Sequence, residues 1–180
     1  MTQQILMQSQ KPSISRTPLG HLIEINIDDE ITSPSEWREE IDAIKSAGPQ
    51  DILEITINSQ GGRLDTTLEI LSALRQTPAL IRTELVGFCA SAASMIYLMG
   101  NELYVNEGTD MLVHSCSYGA VGKAQDVYDQ VRHTARNTES IFRSVYEGFL
   151  SEDELVSVLK GQELFLNAEE IVGRLEQRSA

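Results

Sequence analysis

A serine at the start of a helix pattern is the first feature of the sequence that could do chemistry. Residues 86–95 read Val-Gly-Phe-Cys-Ala-Ser-Ala-Ala-Ser-Met, and Ser91 stands where a strand pattern gives way to a helix pattern. Small neighbours let a substrate backbone approach closely, and unpaired N–H groups at a helix start can stabilise an oxyanion. Ser91 is therefore a candidate nucleophile, although the same small residues are also typical of tight helix packing.

A serine nucleophile needs a base to accept its proton, and imidazole is the usual one. The chain has three histidines, His21, His114 and His133. His114 follows the apolar run Met-Leu-Val and is expected at a strand end, whereas His133 lies in a long helix pattern and His21 begins the first strand. His114 is the candidate base, although a histidine at a strand end is also commonly structural.

A pair of glycines follows another strand pattern. Residues 58–63 read Asn-Ser-Gln-Gly-Gly-Arg and lack the Gly-Lys-Ser/Thr ending of a phosphate loop, which argues against a nucleotide site. Consecutive glycines suit a backbone that points an N–H into a cleft, and they equally suit an ordinary tight turn.

The elements that must position these residues alternate between strands and helices. This alternation predicts an α/β fold with a mainly parallel sheet and helices packed on it. Strands are predicted at residues 21–27, 52–57, 80–88, 103–105 and 111–114, and helices at 34–47, 64–74, 90–99, 127–148, 152–159 and 168–175, the last two beginning with capping boxes.

The predicted helix at residues 127–148 carries a heptad-like stripe of apolar and small residues. The stripe is formed by Val127, Val131, Thr134, Thr138, Ile141, Val145 and Gly148. It fits a helix lying on its own core and equally fits a seam between subunits.

Composition narrows the classes of protein. The 180 residues predict one compact domain, and a formal charge of −13 disfavours nucleic acid as a partner. No apolar run is long enough for a membrane, and Cys89 and Cys116 have neither metal-site nor disulfide-scaffold spacing. We expect free thiols, no metal, no membrane contact and a cytoplasmic location.

The first 20 residues differ from the rest of the chain. They contain no acidic residue, are rich in Gln and Ser, and carry two prolines. The sequence predicts a flexible arm at residues 1–20 and one domain at 21–180, with an organelle transit peptide as the alternative for the arm.

Four motifs in order give the chain a resemblance to a family. Asn-Ser-Gln-Gly-Gly at 58–62, Gly-Phe-Cys-Ala-Ser at 87–91 with Gly100 closing the helix, Met-Leu-Val-His at 111–114 and Glu-Leu-Phe-Leu-Asn-Ala at 163–168 resemble the proteolytic subunit of the Clp protease. The similarity runs from about His21 to about Val172, and its glycine spacing selects Ser91 over Ser94.

The resemblance implies a crotonase-like α/β fold whose long helix after His114 is a handle interlocking two stacked rings of subunits. It implies a serine endopeptidase that degrades unfolded polypeptides, with an ATP-driven AAA+ unfoldase as partner and no cofactor of its own. Ser91 is then the nucleophile, His114 the general base and Glu163 the acid that orients it. The N–H groups of Gly62 and Ala92 form the oxyanion hole.

The sequence also departs from the family pattern. Glu163 replaces the usual Asp, Gln60 a proline, and Ser115-Cys116 the usual Gln-Pro. The family's closing Gly-Leu-Val-Asp strand and first amphipathic helix are not found, as in a divergent, phage-encoded or otherwise specialised member. The alternatives are a catalytically impaired ring subunit or adaptor, and a related phage maturation protease or signal-peptide peptidase; an acyl-CoA enzyme of crotonase type is the weakest.

Overall fold

A computed structural model describes residues 19–178 of the chain. Most of the predicted arm, residues 1–18, lies outside the described residues, so the division into an arm and one domain stays a prediction. None of the helices formed by residues 19–178 combines the length and the apolarity that crossing a bilayer requires.

Strands and helices alternate along most of the described chain. The strands are β1 (Leu22–Ile27), β2 (Ile52–Ser59), β3 (Leu80–Ala90), β4 (Glu102–Val105), β5 (Asp110–Val113) and β6 (Leu164–Asn167). The helices are α1 (Arg38–Ser46), α2 (Leu64–Gln76), α3 (Ala92–Tyr97), α4 (Ala124–Tyr146), α5 (Glu152–Leu159) and α6 (Ala168–Arg178).

The strands form a sheet in the order β1-β2-β3-β5-β6, with β4 also paired to β3. Every pairing is parallel except β5 with β6, which confirms the predicted α/β class and mainly parallel sheet. The sequence did not predict β6, although β4 and β5 are equally short. Residues 164–167 form a strand by antiparallel pairing with the distant β5, and a local pattern does not show that pairing.

Branched aliphatic residues in β1 and β2 form part of the buried core. Ile25 pairs with Ile55, Ile27 pairs with Ile57, and all four side chains are buried. Helices α1 and α2 cover this layer with their own apolar stripes, as their periodicity predicts. The ends of β2 and β3 are thereby fixed on a rigid core.

An irregularity between β2 and β3 shifts the strand register shortly before Ser91. The register moves from Ile57 opposite Leu85 to Ser59 opposite Cys89, so β3 carries two extra residues. The Asn58 side chain fills this bulge by accepting a hydrogen bond from the Phe88 N–H at 3.0 Å. A side chain at Gly87 would collide with that amide, which explains this glycine.

Helix α4 has two halves with different surroundings. Thr138, Phe142, Val145 and Tyr146 are buried against the core, so the C-terminal half of the stripe packs within its own chain. In the N-terminal half Tyr128 remains 56% and Val131 37% exposed. The seam between subunits stays a prediction for that half.

Both predicted capping boxes are present. Ser151 and Glu154 exchange hydrogen bonds at the start of α5, and Asn167 and Glu170 do so at the start of α6. These pairs satisfy N–H groups that the first turn of a helix leaves unpaired. The Asn167–Glu170 pair marks the point where β6 ends and α6 begins.

A bidentate ion pair joins α5 to α6. Arg174 donates to both Glu154 oxygens at 2.6 and 2.9 Å. Hydrogen bonds from Arg174 and from Ser151 lower the pKa of Glu154 from its ordinary 4.5 to about 2. The pair is only partly exposed, so it is screened less than an ordinary surface pair.

We predict that Glu154→Gln lowers the free energy of unfolding by about 1–2 kcal/mol at neutral pH, because a charge-assisted hydrogen bond is lost. The folded-state pKa is depressed, so the difference from wild type is fully present above about pH 4.5 and disappears as the pH falls toward 2. Urea denaturation across this range measures it. Glu169→Gln, in the first turn of α6, is the control, and an equal effect there would contradict a specific role for the pair.

Candidate active site

One cavity of about 510 Å³ brings together four of the five residues that the sequence singled out. Ser91, His114, Gly62 and Ala92 all line it. The remaining lining residues are Glu30, Gln60, Gly61, Arg63, Leu64, Met95, Cys116, Ser117 and Phe142. Sequence reasoning identified the polar centre of this cavity and missed most of its walls, because residues such as Glu30 and Phe142 are distant along the chain.

Ser91 has a strained backbone at the junction of β3 and α3. Its φ of 55° and ψ of −123° make it the one non-glycine residue with positive φ in residues 19–178. Such a conformation costs about 1–3 kcal/mol and persists only where the surroundings hold it. Here the Ser91 N–H donates to the Leu112 carbonyl oxygen at 2.8 Å, which ties the junction to β5.

The glycine turn packs directly against Ser91. Gly61 has a φ of +88°, and a Cβ added to it would lie 2.8 Å from the Ser91 Cβ and 2.9 Å from the Ala92 nitrogen. Gly61 therefore provides both the backbone conformation and the space for two chain segments to meet. The sequence showed the glycine pair but not which segment approaches it.

A short bridge to Ile31 orients the second glycine. The Ile31 N–H donates to the Gly61 oxygen at 2.9 Å, and the Arg63 N–H donates to the Ile31 oxygen at 2.8 Å. In an extended segment, adjacent residues direct their backbone polar groups to opposite sides. Since the flanking residues bind Ile31, the Gly62 N–H points away from Ile31.

Ser59 anchors this turn from below. Its buried hydroxyl donates to the Asp29 carbonyl oxygen at 2.5 Å and accepts from the Gly61 N–H at 3.0 Å. The glycine turn is thus tied to the loop after β1 through one side chain. In the sequence Ser59 is recognisable only as part of a motif, since a residue pattern does not show which backbone groups a buried hydroxyl will contact.

His114 and Glu163 are neighbours in the strand register but their side chains do not bond. In the antiparallel pairing, Val113 lies opposite Leu164, so the next positions outward are His114 and Glu163. Backbones paired in this way are about 5 Å apart. Yet the Glu163 side chain is exposed and does not line the cavity, and His114 makes no hydrogen bond to Glu163 or to Ser91 within residues 19–178.

Two buried hydroxyls lie beneath the candidate nucleophile. The Ser94 hydroxyl is 2.7 Å from the Ser91 carbonyl oxygen and 2.7 Å from the Tyr146 hydroxyl. Burial raises the pKa of Tyr146, so this phenol stays protonated. Sequence reasoning placed Ser94 in a helix, which is confirmed, but it overlooked Tyr146 because nothing in the α4 pattern distinguishes a buried tyrosine that bonds from one that only packs.

Neither the arginine nor the cysteines near the cavity offer a reactive group. Arg63 forms a bidentate pair with Asp65, and that guanidinium lowers the pKa of the Asp65 carboxyl. Cys89 and Cys116 are free thiols, as predicted, and burial raises the pKa of both. Neither thiol is activated, which leaves the Ser91 hydroxyl as the better candidate nucleophile.

Comparison with known proteins gives a consistent result. A family model described as Clp protease matches residues 21–173. The ATP-dependent Clp protease proteolytic subunit 4, chloroplastic, of Arabidopsis thaliana is 30% identical over 95 residues, which are 52% of this chain and 32% of that protein. The chain therefore spans about a third of the length of this relative.

We predict that Gly61→Ala destabilises the fold by at least about 2 kcal/mol, because the new Cβ collides with the Ala90 oxygen and the Ser91 Cβ. Gly108→Ala is the control: its φ is +75°, yet its added Cβ meets nothing within 4 Å, so only the conformational cost of about 1 kcal/mol is expected. Denaturant unfolding of the two variants measures the difference. Equal losses would mean that the turn does not depend on close approach to Ser91.

Proposed function

The chain belongs to the Clp protease family, and on that basis we propose that it is a serine endopeptidase cleaving unfolded polypeptides inside an oligomeric ring chamber. The observation that carries the proposal is the strained Ser91, which shares one cavity with His114 and with the backbone of Gly62 and Ala92. Strain held by surrounding structure is typical of a nucleophile presented at a strand-to-helix turn.

In the proposed mechanism, the Ser91 Oγ attacks the scissile carbonyl carbon while His114 accepts its proton. The tetrahedral intermediate places its oxyanion between the N–H groups of Gly62 and Ala92. His114 then protonates the leaving amine. In the second half of the reaction His114 accepts a proton from water as that water attacks the acyl carbon, and it returns the proton to the Ser91 Oγ as the acyl group leaves. The orientation of Gly62 away from Ile31 supports its role as a donor. The mechanism needs no metal and no organic cofactor.

Glu163 is proposed as the acid that orients His114. The support is the strand register: Val113 pairs with Leu164, so His114 and Glu163 are the next residues beyond the paired ends of β5 and β6. A glutamate is one methylene longer than aspartate, and in the proposed role a different side-chain rotamer of Glu163 holds the carboxylate against the imidazole. Orienting the correct tautomer is the contribution of such an acid.

The wider assembly is proposed from the family and from α4. We propose a crotonase-like fold in which the exposed N-terminal half of α4 is a handle between stacked rings of identical subunits in the cytoplasm. The exposed Tyr128 and Val131 support this, because burial of apolar surface drives association. The relative from Arabidopsis is named as a subunit of an ATP-dependent protease. A separate AAA+ unfoldase is the proposed source of unfolded chains.

A second candidate is a ring subunit or adaptor with impaired catalysis. It is favoured by one observation: within the described residues, His114 bonds neither to Ser91 nor to Glu163. Catalytic hydrogen bonds often tighten only when substrate binds. The chemical reactivity of Ser91 therefore distinguishes the two candidates.

We predict that Ser91→Ala lowers peptide turnover by about a million-fold without changing the mass of the assembly, since the nucleophile is lost and the fold is kept. Ser117→Ala, at an exposed serine lining the same cavity, should retain activity. Cleavage of an unfolded protein and native mass measurement provide the two readouts. Equal cleavage by wild type and Ser91→Ala would refute the proposal.

A fluorophosphonate probe separates the two candidates. An activated serine reacts with it, so the proposed peptidase is labelled at Ser91 and the Ser117→Ala control is labelled equally. Wild-type protein that assembles into rings yet stays unlabelled and inactive is the impaired subunit instead.

We predict that Glu163→Gln lowers kcat by at least about 100-fold at neutral pH, because the neutral amide no longer stabilises the imidazolium of His114. Glu163→Asp should retain more activity than Glu163→Gln. Steady-state peptide hydrolysis measures both. Full activity of Glu163→Gln would remove Glu163 from the mechanism and leave a Ser91–His114 pair.

A further inference from the structure

A buried chain of hydroxyl groups links the end of α4 to the candidate nucleophile. Tyr146, the last residue of α4, is 1% exposed, and Ser94 in α3 is fully buried. Their hydroxyl oxygens are 2.7 Å apart, and the Ser94 oxygen is 2.7 Å from the carbonyl oxygen of Ser91. The mechanism above does not use Tyr146.

The direction of these hydrogen bonds follows from counting protons. A hydroxyl has one proton to donate, and the Ser91 carbonyl oxygen can only accept. Ser94 therefore gives its proton to that oxygen, and the Tyr146 hydroxyl must donate to Ser94. The same carbonyl oxygen also accepts from the Ser94 N–H at 3.1 Å, so two groups of one residue hold it.

The Ser91 carbonyl belongs to the same peptide unit as the Ala92 N–H. No cis peptide bond occurs in residues 19–178, so this unit is trans and its C=O and N–H point in opposite directions. Fixing the oxygen on the buried side, next to Ser94 and Tyr146, turns the N–H toward the opposite side. Ala92 lines the cavity there.

We propose that Tyr146 is a positioning residue for the oxyanion hole: through Ser94 it holds the peptide unit whose Ala92 N–H stabilises the developing negative charge. This inference rests on the proposed peptidase function. Hydrogen bonds in series polarise one another, so donation to the Ser91 oxygen also strengthens Ala92 as a donor. The gain is largest when the oxyanion forms, so it lowers the transition state more than it improves substrate binding.

The position of Tyr146 is itself well determined. Its ring packs at 5.3 Å from the ring of Phe142, one turn earlier in α4 and a wall of the same cavity. Tyr146→Phe keeps this ring packing and removes only the hydroxyl. Tyr97→Phe is a matched control, because Tyr97 is fully buried in α3 and its hydroxyl has no hydrogen-bond partner within residues 19–178.

The test compares kinetics of wild type, Tyr146→Phe and Tyr97→Phe with a short peptide substrate. We expect Tyr146→Phe to lower kcat about tenfold, less than the 10²–10³-fold typical of deleting an oxyanion donor itself. KM and the pH profile should not change, because neither substrate contacts nor His114 are altered. Tyr97→Phe should match wild type.

A peptide aldehyde provides a second readout. Its adduct with Ser91 places an oxyanion in the hole, so its inhibition constant should rise by the same factor as kcat falls, while KM stays constant. A variant that only loses stability would not change kcat and the inhibition constant by the same factor. Ser94→Ala should also lower kcat. The double variant Ser94→Ala/Tyr146→Phe should have the same kcat as Ser94→Ala, since both side chains act through the Ser91 carbonyl.

The outcomes are distinct. Unchanged kcat and aldehyde affinity in both Tyr146→Phe and Ser94→Ala would overturn the positioning role and leave the peptidase standing. Equal losses in Tyr146→Phe and Tyr97→Phe would do the same, since any buried phenol would then suffice. Absence of cleavage by wild-type rings would reject the proposed function and this inference together. If Tyr146→Phe fails to fold, Ser94→Ala decides alone through kcat and the aldehyde.

Discussion

The close approach of the glycine turn to the β3–α3 junction is the constraint on which the site depends. Gly61 allows its backbone to lie against Ser91, and the strained Ser91 is held by a hydrogen bond to Leu112 of β5. Three separate chain segments meet at this point, each fixed by a different part of the sheet. A strained conformation survives there because no relaxed alternative fits the same contacts.

Most secondary structure could be predicted from the sequence, because it depends on patterns within a few residues. The aliphatic strands, the stripe of α2 and the capping box at Ser151 are all local signals, and they are confirmed. The strand β6 was missed because it forms by pairing with β5, about 50 residues earlier in the chain, and a local pattern does not show that contact. The start of α3 was placed two residues early, since the bulge in β3 extends that strand to Ala90.

Only some residues of the candidate site could be predicted from the sequence. Residue types at a predicted strand-to-helix junction and at a strand end made Ser91 and His114 candidates. The resemblance to the Clp protease then selected Ser91 and added Gly62, Ala92 and Glu163, and all of these residues except Glu163 line one cavity. Ser59 and Tyr146 could not be found in this way. Each bonds to a group far along the chain, the former to Asp29 and the latter to Ser94. Such contacts follow from packing, which a residue pattern does not encode.

The two sides of the cavity are organised to different degrees, and burial explains the difference. On the nucleophile side, Ser94 and Tyr146 lie in the core, where a hydroxyl left without a partner would be costly, so their bonds are strongly determined. On the side of His114, β5 ends at Val113, and residues 114–123 contain no helix or strand. Val121 in this segment is fully exposed. Water can solvate the Glu163 carboxylate there. A hydrogen bond to His114 would therefore stabilise the folded single chain only slightly. A carboxylate that water already solvates gains little from a hydrogen bond to an imidazole, because the net contribution of such a bond is only the difference between the two.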